Sequence, residues 1–324
     1  MSVAERQHQH SQRQSRFGPV PDPTPSDGPD PYGNPDPDWL RIDWREHLQE
    51  VEVGGDRVHY VELGPPPDEQ EPLAIVFVHG LSGCWQNWLE NMPHFARRHR
   101  VLALDLPGFG SSPVPGWEIS IPAYGKLVLE FCDAVGMRDC AVVGNSMGGF
   151  IAAEAAIAQP DRFERLVLVS AAGVSSARLR RQPTEVAARM LAAATPLLFK
   201  FQTRTFRRPR ARRRAFAGLF HSPEKLRREL IWEFFNGGDR AQSFVEALST
   251  LAGYDFLDRL EEVEVPTLVV WGAQDHVVPP ADSLEFARRL SNSRLEVFDC
   301  TGHLPMAERP VRFNRLLERF LAES

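Results

Sequence analysis

The stretch that decides the fold is residues 141–150, AVVGNSMGGF. It begins as an apolar run typical of a buried strand, and it ends in glycines ahead of IAAEAAIAQP, which has the pattern of a helix. Ser146 lies at this change, between Gly144 and Gly148, in a G-x-S-x-G pattern. A serine in this position is either a reactive nucleophile or an ordinary helix N-cap, and the stretch alone does not distinguish the two.

The same alternation of strand and helix extends through most of the chain. Several apolar runs lack polar alternation, as is typical of strands buried on both faces of a parallel sheet. The predicted strands are LAIVFVHG, RVLALDLPG, CAVVGNS, RLVLVSAA, PTLVVWG and SRLEVFDC, and LQEVEVGGDRVHYVEL predicts a hairpin ahead of them. The predicted helices include WQNWLENMPHFARRH, IPAYGKLVLEFCDAVG, MGGFIAAEAAIAQP, ADSLEFARRL and PVRFNRLLERFLAE. We therefore predict an open, doubly wound, mostly parallel α/β sheet that is entered by an antiparallel hairpin.

Changes in composition divide the chain into four segments. Residues 1–38 are rich in Gln, His and Arg and then in Pro and Asp, and we expect disorder there because apolar surface is scarce. Residues 39–173 and 256–324 are predicted to form the two parts of the α/β core. Residues 174–255 follow the sixth predicted strand and show only helical patterns, which predicts a helical cap over the carboxyl edge of the sheet. The apolar residues that would face the core or a pocket are Met190, Leu191, Phe199, Phe234 and Phe235.

Composition favours an ordinary globular protein. The chain has 324 residues, of which 43% are hydrophobic and 25% are charged, and its formal net charge of −6 does not favour nucleic-acid binding. The cysteines have no CxxC pair, so buried reduced thiols are expected rather than zinc sites or disulfides. The first residues lack the apolar core of a signal peptide, and no apolar run is long enough for a membrane helix. These features lead us to expect a cytoplasmic enzyme.

Two later strands are followed by side chains that could work with Ser146. Asp275 comes after PTLVVWG, and His303 comes after SRLEVFDC. Because ligands bind outside the carboxyl ends of the strands in open α/β sheets, these side chains are expected to meet there. The order Ser, Asp, His along the chain is that of a hydrolase triad on such a sheet.

Five sequence blocks, in this order, resemble the α/β-hydrolase superfamily, and specifically its capped serine hydrolases: HG, DLPGFGSS, GNSMGG, GAQDHVVP and GHLPMAERP. The resemblance covers roughly residues 48–322. It implies the α/β-hydrolase fold, with Ser146 as the nucleophile, His303 as the base and Asp275 as the residue that orients the base. It also implies an oxyanion hole formed by the backbone N–H groups of Leu81 and Met147.

Other polar residues near the strand ends are weaker candidates. His276 is adjacent to Asp275, so its ring is expected to point away from a shared partner. His79 resembles a residue that shapes the oxyanion loop, Asp105 belongs to a structural turn, and Asp299 is predicted to lie within a strand. The sequence has no metal-ligand constellation and no phosphate loop, so no metal or cofactor is expected.

A serine nucleophile disfavours relatives that use aspartate there, such as haloalkane dehalogenases and epoxide hydrolases. The leading hypothesis is a carboxylic-ester hydrolase for a small or medium apolar acyl substrate, with Trp85, Trp88 and Phe150 as pocket candidates. The GNSMGG elbow is also similar to that of the C–C hydrolases that cleave 2-hydroxy-6-oxo-dienoate products of ring fission. Those enzymes usually place tryptophan where Leu304 follows His303 here. A third hypothesis is a ligand receptor with the hydrolase fold and no turnover.

The cap segment carries seven arginines from Arg204 to Arg214. Such a run could contact nucleic acid or an anionic membrane, or it could be a solvated surface or a site for an anionic substrate group. The acidic net charge and the missing nucleic-acid motif favour the second interpretation. The expected partner is therefore a small-molecule acyl substrate.

Overall fold

A computed structural model describes residues 20–65, 73–177, 208–236 and 242–323. In chain order its strands are β1 (Leu48–Val53), β2 (Asp56–Leu63), β3 (Ala74–Val78), β4 (Val101–Leu104), β5 (Cys140–Asn145), β6 (Phe163–Val169), β7 (Thr267–Gly272) and β8 (Ser293–Phe298). They form one sheet in the spatial order β1-β2-β4-β3-β5-β6-β7-β8. The hairpin β1–β2 and the pair β2–β4 are antiparallel, and the other pairs are parallel. The predicted strands and hairpin are confirmed.

The α-helices of the described residues lie on both faces of this sheet. They are α1 (Met92–Phe95), α2 (Ile121–Ala134), α3 (Met147–Ala158), α4 (Val174–Ala177), α5 (Pro209–Phe216), α6 (Arg228–Asn236), α7 (Phe244–Leu251), α8 (Ala281–Arg289), α9 (Pro305–Glu308) and α10 (Pro310–Ala322). Short 3-10 turns occur at Asp38–Arg41, Trp44–Glu46, Trp85–Trp88, Pro160–Arg162, Pro223–Lys225 and Leu257–Glu262. Within the ranges described, none of the helices combines the length and apolarity that crossing a membrane requires.

Alternate residues of β3 show how the sheet is covered on both sides. Val76 and Val78 belong to a core formed with α2, α3 and α8. Ile75 and Phe77 belong to a second core formed with α1, α6 and α10. Burial on both faces explains why β3 to β7 are apolar runs without alternation, and it confirms the doubly wound arrangement.

The helix predicted for WQNWLENMPHFARRH is replaced by shorter elements. A 3-10 turn spans Trp85–Trp88, and the one-turn helix α1 follows it. Pro93 lies in the first turn of α1, where its missing N–H leaves no carbonyl unpaired. The Asn91 side chain donates to the carbonyl of Met306 at 3.1 Å and to Asn314 Oδ1 at 2.7 Å. These long-range bonds fix a bend that the apolar pattern of the segment did not reveal.

The four cysteines, all within the described ranges, form no disulfide, and most of them lie in the core. Cys84, Cys132 and Cys140 are buried, as the sequence predicted. Cys300 differs, because it is exposed on the turn after β8. A turn that leaves the sheet edge has no second layer of structure to cover its side chain.

The structure differs from the predicted disorder over residues 20–38. Thr24 N donates to the carbonyl of Val297 at 2.8 Å, and Val297 N donates back to Thr24 Oγ1 at 3.1 Å. Gly33 N donates to the carbonyl of Glu308 at 2.7 Å. We call residues 24–33 the N-terminal strap. Residues 1–19 lie outside the described part of the chain.

Charge, rather than apolar surface, attaches this strap to α10. Asp27 pairs with Arg315 at 3.1 Å, and Asp30 pairs with Arg312 at 3.4 Å. Composition predicted disorder because the strap has little apolar surface of its own. That prediction did not include the arginines that another part of the chain supplies.

The described parts of residues 174–255 contain α4, α5, α6 and α7 and no strand, in agreement with the predicted helical character. Phe234 is buried, and its ring centroid lies 5.8 Å from that of Phe220. Met190, Leu191, Phe199 and the side chain of Phe235 lie outside the described residues. The role of the segment as a cap stays a prediction.

Candidate active site

Ser146 occupies a strained backbone conformation at the junction of β5 and α3. Its φ of 55° and ψ of −117° lie in a region that residues with a side chain rarely adopt. Two backbone hydrogen bonds hold it there, from Ser146 N to the carbonyl of Val169 at 2.9 Å and from Ala172 N to the carbonyl of Ser146 at 3.0 Å. The neighbouring residues of β5 and α3 are buried, whereas Ser146 is partly exposed.

The two glycines of the G-x-S-x-G pattern lie against other backbone. A Cβ on Gly144 would overlap the carbonyl oxygen of Gly148, and a Cβ on Gly148 would overlap the carbonyl oxygen of Val78. Strand and helix therefore approach as closely as their main chains allow. This close approach presents Ser146 at the carboxyl edge of the sheet.

Asp275 and His303 form a buried pair beyond the ends of β7 and β8. His303 Nδ1 donates to Asp275 Oδ2 at 2.8 Å. The other carboxylate oxygen, Oδ1, accepts from Val277 N at 2.8 Å and from Val278 N at 3.0 Å. The loop after β7 thus fixes the carboxylate, the carboxylate fixes the ring, and Nε2 of the imidazole remains as its acceptor.

Asn145 links the serine to the histidine. Its side-chain Nδ2 donates to the carbonyl of Val169 at 3.0 Å and to the carbonyl of His303 at 3.4 Å. The residue before Ser146 is therefore tied to the loop that carries His303. These contacts bring Ser146, Asp275 and His303 to the same edge of the sheet.

The loop after β3 lies against the serine. A Cβ on Gly80 would lie 3.0 Å from the Cβ of Ser146, so Leu81 follows immediately after a point of contact. Across the ranges that the structure describes, the N–H groups of Leu81 and Met147 have no acceptor. Two unpaired donors beside a serine suit a developing oxyanion.

His79 shapes this loop as a neutral imidazole. Leu106 N donates to His79 Nε2 at 3.0 Å, so the proton of the ring is on Nδ1, which donates to the carbonyl of Gly80 at 2.7 Å. Complete burial lowers the pKa of His79 to about 4. Both ring nitrogens are occupied by backbone groups, which agrees with a loop-shaping role.

The sequence profile of the alpha/beta hydrolase fold matches residues 74–310. The chain belongs to this family.

Three relatives of this α/β-hydrolase are informative. It is 28% identical to a 2-hydroxy-6-oxo-6-phenylhexa-2,4-dienoate hydrolase of Comamonas testosteroni, over 85% of this chain and 95% of the relative. The chain is also 29% identical to a pimeloyl-[acyl-carrier protein] methyl ester esterase of Aeromonas hydrophila, over 76% of this chain and 94% of the relative.

The third relative is a solved structure. The enol-lactonase of Burkholderia xenovorans superposes with a TM-score of 0.68 at 24% identity, over 85% of this chain and 100% of that one. At this identity the likeness shows the fold alone. The named relatives therefore include both an ester hydrolase and a C–C hydrolase.

Sequence reasoning missed Glu308 of this α/β-hydrolase, which is fully buried beneath the histidine loop. Its Oε1 accepts from Gly302 N at 2.9 Å and from Leu304 N at 3.3 Å, on either side of His303. Burial raises the pKa of the Glu308 carboxyl to about 7, while hydrogen bonds from its donors oppose that rise. Its place in the GHLPMAERP block was the only signal available in the sequence.

The predicted pocket residues of the α/β-hydrolase lie deeper than expected. Trp88 and Phe150 are fully buried, and Trp85 is nearly so. Trp88 stacks on Phe77 with centroids 4.7 Å apart, and Phe150 lies 4.3 Å from Phe256. Trp88 packs in the core from its 3-10 turn, and Phe150 packs there from α3. A role of Trp85, Trp88 or Phe150 in a substrate pocket stays a prediction.

The weaker candidates take no part in the pair. His276 is exposed beside the buried Asp275. Asp299 follows the end of β8 instead of lying within it, and it accepts from Gln274 Nε2 at 3.1 Å. Asp105 accepts from Trp85 N at 2.8 Å, as expected of a residue in a structural turn. The described residues contain no group of three or more His, Cys, Asp or Glu side chains that could hold a metal ion.

Part of the arginine-rich stretch lies on α5. Arg210, Arg213 and Arg214 are exposed, whereas Arg212 is buried and donates to the carbonyl of Glu224 at 3.0 Å. One member of the run therefore has a structural role. The remainder of the run, from Arg204 to residue 207, lies outside the described residues.

Proposed function

We propose that this α/β-hydrolase is a serine hydrolase that cleaves a carboxylic ester of a small or medium apolar acyl group. The observation that carries the proposal is the buried Asp275–His303 pair, with its 2.8 Å hydrogen bond, at the same edge as the strained Ser146. A fixed imidazole at the same sheet edge as a presented hydroxyl supports nucleophilic catalysis, which needs a base within reach of the nucleophile.

The proposed reaction has two steps. Ser146 Oγ attacks the acyl carbon while His303 Nε2 accepts the hydroxyl proton, and the oxyanion accepts from the N–H groups of Leu81 and Met147. The tetrahedral intermediate breaks its bond to the alcohol, which takes the proton from His303. Water then attacks the acyl-enzyme with the same proton transfers, and it releases the acid and restores the Ser146 hydroxyl.

Cleavage of a carbon–carbon bond is the second candidate. It is supported by the similarity to the dienoate hydrolase of Comamonas testosteroni. Leu304 beside His303 favours the ester, because Leu304 is a buried aliphatic residue where the C–C enzymes usually have tryptophan. The third candidate, a receptor without turnover, uses the same fold but predicts an inert serine.

The test compares substrates on the intact chain. We expect hydrolysis of p-nitrophenyl esters to depend on acyl length and to exceed that of a 2-hydroxy-6-oxo-dienoate in kcat/KM. Ser146→Ala should lower ester kcat by at least about 10⁴-fold, because the nucleophile is removed. A clear preference for the dienoate would replace the ester proposal with the C–C one.

A labelling experiment separates the enzyme from the receptor. A fluorophosphonate should modify the wild-type chain and the control Ser293→Ala, whose hydroxyl lies at the start of β8 and donates to the carbonyl of Leu290 at 3.2 Å. Ser146→Ala should remain unlabelled. Failure to label the folded wild-type chain would contradict both enzyme candidates and favour the receptor.

A further inference from the structure

Glu308 joins three segments that are distant in the sequence. Its Oε2 accepts from the Tyr32 hydroxyl of the N-terminal strap at 2.5 Å and from His221 N of the cap segment at 2.8 Å. Tyr32 and Glu308 are separated by 276 residues. The same Tyr32 hydroxyl accepts from Ser222 N at 2.7 Å, so it bridges the cap segment and the carboxylate.

We propose that Tyr32 is a positioning residue for the catalytic base: through Glu308, the strap holds the His303 loop in the orientation that proton transfer requires. The inference rests on the proposed function, in which His303 is that base. It assigns to the strap a role in catalysis that extends beyond attachment of the chain.

Glu308 holds the backbone on both sides of His303, and other groups hold His303 itself. Its three successive N–H groups are all held: Glu308 Oε1 accepts those of Gly302 and Leu304, and the carbonyl of Leu219 accepts that of His303 at 2.9 Å. A Cβ on Gly302 would lie 2.8 Å from His221 N, so the loop is packed directly against the cap segment. A shift of Glu308 therefore moves the main chain on both sides of the imidazole.

Such a shift would act on catalysis more than on binding. The Asp275–His303 hydrogen bond fixes the ring relative to the β7 loop, whereas Glu308 fixes the backbone from which the ring projects. Small errors in the placement of a reacting group reduce rate steeply, by about 10² for 1 Å. Loss of the Tyr32 hydroxyl should therefore lower kcat and leave KM nearly unchanged.

Tyr32→Phe isolates the hydroxyl. The ring has its own contacts, since the guanidinium of Arg309 lies 5.0 Å and the ammonium of Lys225 lies 5.7 Å from its centroid. Phenylalanine keeps a ring for these cations. It removes only the donor to Glu308 and the acceptor for Ser222 N.

Tyr254→Phe is the matched control. The Tyr254 hydroxyl donates to Glu154 Oε2 at 2.9 Å, and Glu154 is also a buried carboxylate with a second donor, Arg259, at 3.0 Å. Both tyrosines are partly buried. The two variants thus lose comparable hydrogen bonds, but only one of these bonds leads to the His303 loop.

The experiment measures kcat, KM, the rate constant for fluorophosphonate labelling and Tm for the wild-type chain and both variants. We expect Tyr32→Phe to lower kcat and the labelling rate about three- to tenfold, the size that loss of one hydrogen bond produces. KM should change by less than about twofold, which is the split expected when only a transition-state interaction is lost. Tyr254→Phe should lower Tm to a similar extent and leave both rates unchanged.

A second readout does not depend on turnover. The His303 Nδ1 proton in its hydrogen bond with Asp275 can be followed by NMR, and its resonance should shift or broaden in Tyr32→Phe but not in Tyr254→Phe. If Tyr32→Phe has a lower Tm but keeps the wild-type rates and resonance, the strap contributes only to stability and the inference is wrong. If the wild-type chain is inert to esters and to the fluorophosphonate, the proposed function fails, and the resonance alone decides the positioning role.

Discussion

At the scale of single residues, the two carboxylate oxygens of Asp275 have different hydrogen-bond partners. One oxygen accepts from the N–H groups of Val277 and Val278, and the other accepts from His303. An amide in this position would keep its oxygen toward the two backbone donors and turn its NH₂ group toward the imidazole. His303 Nδ1 would then have to accept this hydrogen bond, so the ring proton would move to Nε2. In the proposed reaction Nε2 must be unprotonated, because it accepts the hydroxyl proton of Ser146.

Asp275→Asn should therefore lower kcat by about 10⁴-fold with little loss of stability, since the tautomer becomes wrong while the packing is kept. The measurement is ester hydrolysis together with urea unfolding. Asp299→Asn is the control, because Asp299 is an exposed carboxylate after the neighbouring strand. Comparable activity losses in the two variants would argue against a special role for Asp275.

The residues of the proposed triad were predictable because each follows an apolar strand whose end faces the same edge. Glu308 and Tyr32 were not, for a physical reason. A buried carboxylate is defined by its donors, and those of Glu308 come from the strap, the cap segment and the histidine loop. No local pattern contains a contact between residues so far apart. The depth of Phe150 was also unpredictable, because its burial depends on how α3 is oriented against the neighbouring elements.

At the scale of elements, the elbow depends on the distance between β5 and α3. The carbonyl oxygen of Gly148 occupies the space that a side chain on Gly144 would need. Backbone cannot move aside as the end of a flexible side chain can. A Cβ at position 144 would therefore force β5 and α3 apart at the point where Ser146 lies.

Gly144→Ala should reduce the free energy of unfolding by about 1–3 kcal/mol or more, as overpacking does, and it should lower labelling of Ser146. The measurements are urea unfolding and fluorophosphonate labelling. Gly116→Ala is the matched control, because a Cβ on Gly116 would have no atom within 4 Å and its φ is not in the positive range. Equal stability of the two variants would mean that the elbow can relax.

The elements themselves were predicted unevenly. Strands buried on both faces have a pattern that needs no knowledge of their neighbours, so β3 to β7 were found. The segment after β3 has apolar residues at helical spacing, but Pro93 and the long-range bonds of Asn91 divide it into a 3-10 turn and α1. Its spacing reflects burial against the sheet and not a continuous helix.

At the scale of the whole molecule, two buried carboxyls make stability depend on pH. Burial raises the pKa of Glu90 to about 7, as it does for Glu308. A carboxyl whose pKa is higher in the folded state contributes stability in its protonated form, below its ordinary pKa of 4.5. That contribution is lost as the pH rises through the folded pKa. As the pH rises from about 4.5 to 7, these two groups therefore make folding less favourable.

Glu90→Gln should remove its share of this dependence. The free energy of unfolding of the variant minus that of the wild-type chain should rise by about 3 kcal/mol as the pH increases from 4.5 to 7, since glutamine carries no charge to bury. Urea unfolding at several pH values measures it, with the exposed Glu264→Gln as the control. A difference that does not vary with pH would show that Glu90 titrates normally in the fold.

The architecture was predictable at this scale, and the strap was not. Composition reports whether a segment can form its own core, and residues 20–38 cannot. It does not report that Arg309, Arg312 and Arg315 of the C-terminal part offer charges and donors to that segment. Order in the strap is therefore a property of two parts of the chain together.

The bond between Tyr32 and Glu308 also determines when the proposed site can be completed during synthesis. The strap leaves the ribosome early, and it has to wait for residues beyond β8 before its tyrosine has a partner. Closing so long a loop costs conformational entropy that only the finished sheet can offset. The nascent chain should therefore hold Ser146 in a partly built sheet without a placed base, and reactivity toward a fluorophosphonate should arise only once the residues beyond β8 have left the ribosome.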